Sequence, residues 1–308
     1  KKLVLADTLL YHTKNDSAMK VLKGINAEDL KDESDKAYYK LLTTQAQLVL
    51  YQRPIPDSTL NECIKFYTKH YDAEKLAKAY YYNGAILSKV RKIKKAIKLL
   101  KAGEVHAKKS KSLILIHHIE EQLSIVNAKT GNFNTALKYA NTALQHSKKL
   151  NRKSWIIEDM NRLAAIYDEL GILDSSDYYI TGALNYTKFL SKPLKADFYA
   201  NAGAYYYNSN KLDSAEKYIL MSIKAKSTAR ANYILGVIYM EKGRKAEAWK
   251  LCEKAAADGD FDIKAEVLAW MSDVKKEQGE YKEAMELAER SKAAEDSMKA
   301  RQQTEDML

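Results

Sequence analysis

Six histidines, two cysteines and a few paired acids are the residues here that could do chemistry. The histidines are His12, His70, His106, His117, His118 and His146. His117 and His118 are adjacent. On a helix, neighbours point about 100° apart, so the spacing argues against the two gripping one metal ion together. Surface or groove positions are expected for the histidines, and no metal site is expected. Cys63 and Cys252 stand alone, with no CxxC, so neither a disulfide framework nor a zinc site is implied. Asp168-Glu169 and Asp174 with Asp177 could be read as acid/base dyads, but they flank Gly171 and read more simply as turn and cap residues. No phosphate loop, GxGxxG, HExxH or GxSxG is present. These residue types in these patterns point away from catalysis. No catalytic residue and no cofactor is assigned.

Composition says what must position any site. The chain has 308 residues, with only 11 glycines and 3 prolines but 22 tyrosines. Scarce breakers argue for long helices and against a loop-rich all-β protein. No stretch reaches the ~18 apolar residues of a membrane span. The net charge is +11, and the excess is local. The window 89–111 carries ten basic residues against one acid, Glu104, and Arg91, Lys94, Lys95, Lys98 and Lys101 recur at helical spacing as one stripe. Such a stripe is either a solvated face or an electrostatic contact with an anionic surface or nucleic acid. The window has no aromatic residue to stack on a base, so nucleic acid is the weaker partner.

Internal periodicity carries the most information. A small residue recurs at Gly84, Ser124, Ala164, Gly203, Gly236 and Ser272, and a second one twelve residues on, at Ala96, Ala136, Ser176, Ala215, Ala248 and Ala284. Between the two ladders lies a turn site: Arg91, Gly131, Gly171, Asn210, Gly243 and Gly279. Two antiparallel helices joined by a tight turn approach closely only where side chains are small. Large residues then fill the gaps, at Ile93, Phe133, Leu173, Leu212, Lys245 and Tyr281 after the turn and at Leu87, Asn127, Tyr167, Tyr206, Tyr239 and Lys275 before it. Tyrosine suits such sites, because its ring packs while its hydroxyl reaches a polar edge.

These residues resemble the tetratricopeptide repeat (TPR) family, a paired-helix unit of about 34 residues. Leu235-Gly236 with Tyr239, Gly243 and Ala248 matches most cleanly, followed by Leu163-Ala164 with Tyr167 and Gly171, then Leu123-Ser124 with Gly131, Phe133, Ala136 and Ala143. The departures are consistent. The family's tryptophan site holds Tyr80, Glu120, Met160, Tyr199, Asn232 and Leu268, and the late proline is missing. The fold expected is all-α, a right-handed TPR-like superhelical solenoid of antiparallel helix pairs. Six pairs fall in 76–293. Residues 1–75 form an irregular helical cap with a degenerate repeat, broken at Arg53–Ser58 by Pro54 and Pro56. Residues 294–308 form a trailing helix or linker.

The resemblance implies that first helices line a concave groove binding a protein or peptide, without enzymatic activity. The groove residues it projects are Tyr81, Tyr82, His118, Gln122, Asn161, Arg162, Asn201, Tyr207, Arg230, Tyr233 and Trp270. The long units and tyrosine-rich first helices are similar to TPR sensor segments of bacterial membrane-attached regulators or lipoproteins. On that likeness the chain is expected outside the cytoplasm, with the cytoplasm as the alternative, although no transmembrane segment lies within it.

Overall fold

The computed structural model describes residues 1–12, 14–50 and 57–307. Among them are sixteen α-helices, two short 3-10 turns (Ala27–Asp29 and Thr187–Phe189) and no strand. The proline breaker expected at Arg53–Ser58 lies outside the described residues and side chains. Among the described residues, no helix is long and apolar enough to cross a membrane.

The helices divide into two compact units at 151/152. The N-terminal unit holds α1 (Lys2–Tyr11), α2 (Asn15–Lys23), α3 (Glu33–Val49), α4 (Asp57–Lys69), α5 (Ala73–Lys89), α6 (Ile93–Ser110), α7 (Leu113–Ala128) and α8 (Phe133–Lys149). The C-terminal unit holds α9 (Lys153–Glu169), α10 (Leu173–Leu184), α11 (Lys192–Asn208), α12 (Leu212–Ala225), α13 (Ala229–Glu241), α14 (Lys245–Asp258), α15 (Phe261–Glu277) and α16 (Tyr281–Met307). Position 75/76 falls inside α5 and 293/294 inside α16, so neither coincides with a break in the helices.

The turn sites work as the periodicity requires. Arg91 and Asn210 adopt φ of 59° and 57°, and the four glycines adopt 70–80°. At each, the amide one residue further on donates back to the carbonyl five residues earlier, from Lys92 to Leu87, Asn132 to Asn127, Ile172 to Tyr167, Lys211 to Tyr206, Arg244 to Tyr239 and Glu280 to Lys275, at 2.8–3.0 Å. This closes the first helix with a left-handed cap and launches the second. The second helix begins on the next residue in every case, at Ile93, Phe133, Leu173, Leu212, Lys245 and Tyr281.

The small-residue ladder is where paired helices touch. A Cβ added at Gly203 would fall 2.5 Å from two side-chain carbons of Ile219, and one at Gly236 would fall 2.5 Å from Cys252 Sγ. Where serine takes a ladder position, its hydroxyl donates across the crossing: Ser124 to the Ala136 carbonyl at 3.0 Å, Ser176 to Ala164 at 2.9 Å and Ser272 to Ala284 at 2.7 Å. A second crossing at a 26-residue spacing was not visible in the sequence. There Ser222 donates to the Ala196 carbonyl at 2.7 Å and Ser291 to Ala265 at 2.8 Å.

Tyrosine hydroxyls do reach polar edges. Tyr205 donates to the Leu173 carbonyl at 2.9 Å, Tyr206 to Asp177 at 3.1 Å and Tyr38 to Asp7 at 2.6 Å. Their rings stack, as in Tyr206 on Tyr218 at 5.2 Å between centroids. The tyrosine excess is therefore largely architectural.

Both cysteines are fully buried. Burial pushes the Cys63 thiol up to about 11 and the Cys252 thiol up to about 12. A thiolate is the reactive form, so both should be inert in the native protein. Ellman's reagent at neutral pH should titrate no thiol in the folded chain and two after denaturation. One fast-reacting native thiol would contradict this burial.

Candidate functional site: the first-helix faces

Within each unit, first helices touch the first helices of neighbouring pairs. In the N-terminal unit α3 meets α5 and α5 meets α7; in the C-terminal unit α9 meets α11, α11 meets α13 and α13 meets α15. Among the described residues no comparable packing joins successive second helices. Each stack is therefore tighter along its first helices, the side that the sequence projects as the groove.

In the N-terminal unit, Tyr81 on α5 is half-buried and its ring stacks on His118 of α7 at 5.9 Å and 25°. Gln122, one turn beyond His118, is also half-buried. Tyr82 corrects the projection. It is only 8% exposed and packs in a core cluster with Leu41, Leu60, Tyr67 and Leu76. On a helix one residue is a 100° rotation, enough to take Tyr82 from the face that holds Tyr81 into the core. The histidine expectation is corrected too. His117 is buried rather than superficial. The donor atoms of His117, His118 and Glu121 lie within 4.8 Å of one another. Long imidazole side chains swing together even though their Cβ atoms diverge.

In the C-terminal unit the projected residues beyond α9 stand on the first helices α11, α13 and α15. Asn201 and Arg230 are exposed, while Tyr207, Tyr233 and Trp270 are half-buried. The Tyr233 ring meets the Trp270 ring edge-on at 6.1 Å. Tyr207 donates a hydrogen bond to Glu241 of α13. Burial, helped by Glu241, pushes the Tyr207 hydroxyl up to about 12. Burial also raises Tyr233, with a contribution from Glu266. Sequence reasoning missed both acids. Glu241 lies 34 residues after Tyr207, one repeat length, and that spacing was the available signal.

On α9, Asn161 and Arg162 are half-buried. Arg162 departs from its projected role, since its Nη1 donates to Asp159 Oδ1 at 2.8 Å and Asp159 is fully buried. The guanidinium balances a core carboxylate, which commits it before any ligand arrives.

The basic stripe stands on α6, a second helix. Arg91, Lys94, Lys95, Lys98 and Lys101 are all exposed. Lys101 pairs with Glu104 at 3.3 Å and with the Tyr139 hydroxyl. Lys94, Lys95 and Lys98 make no ion pair among the described residues.

No protein-family model matches the sequence, and no curated protein matches it. Solved structures do match. A Rap protein complexed with competence and sporulation factor aligns over 98% of both chains at 17% identity, with a TM-score of 0.69. NprR in complex with its cognate peptide NprX aligns over 92% of this chain and 86% of that one at 20% identity, with a TM-score of 0.67. Aspartyl phosphate phosphatase F from Bacillus subtilis aligns over 82% and 66% at 13% identity, with a TM-score of 0.57.

The chain has a TPR-like helical-repeat fold. Its TPR-like neighbours correct one expectation. NprR and Rap proteins match it over nearly its whole length, and this likeness overturns the extracytoplasmic placement expected from the sequence. They also qualify the non-enzymatic expectation, because one of them is named a phosphatase.

Proposed function

We propose that this protein is a non-enzymatic interaction scaffold that binds a peptide, or an extended segment of a partner protein, along the first-helix face of its C-terminal unit. The observation that carries this reading is the set of half-buried rings Tyr207, Tyr233 and Trp270 on three successive first helices, with Asn201 and Arg230 exposed on two of the same helices. The rings supply stiff contact area and the amide bonds peptide backbone. The guanidinium is suited to gripping a carboxylate with two parallel bonds. The reading is supported by two structural neighbours, NprR in complex with its cognate peptide NprX and a Rap protein complexed with competence and sporulation factor.

The test is a selection of short random peptides displayed on phage against the intact chain, followed by affinity measurements. Trp270→Ala should weaken the selected peptide by about thirtyfold, the loss of its largest aromatic anchor, and Asn201→Ala and Arg230→Ala by smaller factors. A triple change of Lys94, Lys95 and Lys98 to Glu should leave it unchanged.

A second reading is supported by the exposed, unneutralised lysines of α6. On that reading the stripe contacts an anionic surface or nucleic acid. Binding would then fall steeply with salt and vanish in the triple Glu variant while surviving Trp270→Ala.

A further inference from the structure

We infer that His117, His118 and Glu121 on α7 form a binding site for a divalent transition-metal ion of the zinc class. This goes beyond the peptide reading and does not depend on it, since the residues belong to the N-terminal unit. The three side chains occupy positions i, i+1 and i+4 of one helix. One donor atom from each already lies within 4.8 Å of the other two. Ligands about 2.0–2.1 Å from a tetrahedral zinc stand roughly 3.3 Å apart, so side-chain rotations must close gaps of up to about 1.5 Å. His118 Nδ1 is already 3.6 Å from a Glu121 carboxylate oxygen.

The surroundings favour metal over a mere ion pair. His117 is buried, and His118 and Glu121 are half-buried. A cation held by these atoms would therefore be partly screened from water. The Tyr81 ring stacks on His118 and limits its rotation, as outer groups around metal sites do. Two imidazoles and one carboxylate suit zinc, cobalt or nickel better than calcium or magnesium, which take oxygen ligands. Three protein ligands leave a fourth position for water or for an external ligand.

The experiment titrates zinc chloride into the full tag-free chain by calorimetry, with cobalt(II) as an optical probe. One equivalent should bind, and cobalt should show the visible bands of a low-coordinate site carrying nitrogen ligands. His118→Gln and Glu121→Gln should each weaken zinc by about tenfold or more while the helical circular-dichroism spectrum stays unchanged. These two half-buried positions keep the test valid even if His117→Ala fails to fold. Absence of zinc binding would overturn the inference. So would binding that persists undiminished in the His118→Gln/Glu121→Gln double variant, which would place the metal on other histidines.

Discussion

Replacing Arg162 with Met should destabilise the protein by about 3 kcal/mol, the cost of breaking a buried pair by removing its cation. Asp159 is fully buried and accepts from Arg162 Nη1 at 2.8 Å. Methionine keeps much of the apolar stem of arginine and removes only the charge, so the loss reports the pair rather than packing. The double variant Arg162→Met/Asp159→Asn should recover more than half of it, because the buried negative charge is gone. Urea unfolding followed by circular dichroism measures all three. If Arg162→Met leaves stability within about 0.5 kcal/mol of the parent but abolishes peptide binding, Arg162 is a recognition residue and the core-pair account is wrong.

The second large effect lies at a helix crossing. Gly203→Val should cost about 3 kcal/mol, because its Cβ alone would fall 2.5 Å from Ile219 Cγ1 and Cδ1 and 3.2 Å from the Ile219 backbone nitrogen. Ile219 is fully buried, and the backbone beneath it limits how far it can retreat. An exposed helical glycine would behave oppositely, gaining about 1 kcal/mol on becoming alanine. The decisive comparison is therefore a cycle. Ile219→Ala alone should cost about 2–5 kcal/mol from its cavity. Gly203→Ala added to Ile219→Ala should cost less than the two separate losses combined, by about 1 kcal/mol or more. Strict additivity would mean that α11 and α12 do not meet at this pair.

Both predictions arise from features the sequence announced unequally. The ladder and the turn sites were legible because they repeat. Close crossing demands a small residue, and a left-handed cap favours glycine or asparagine, so the physics writes the same residue types at the same spacing. Arg91 is the instructive exception, adopting φ of 59° with a full side chain. Its position between the two ladders, not its type, marks it as a turn site. The crossing at 26-residue spacing was missed because its small partner alternates between serine, cysteine and glycine. The groove was less legible for a different reason. Facing direction on a helix changes by 100° per residue, so projection from a repeat alignment separates Tyr81 from Tyr82 only if the register is right to one residue. Nor can periodicity reveal a pair such as Arg162 with Asp159, which belongs to one repeat and not to the others. His117 and His118 were excluded as co-ligands on backbone angle alone. The reach of their side chains, and Glu121 one turn further on, required coordinates.

The central claim is that a peptide occupies the first-helix face of the C-terminal unit. Hydrogen exchange of the full chain, with and without a phage-selected peptide, tests it most directly. Slowed exchange should concentrate in α11, α13 and α15, with the second helices α12 and α14 and the basic helix α6 unchanged. Protection confined to α6, or to second helices in either unit, would contradict the claim and place the working surface on the opposite side of the repeats.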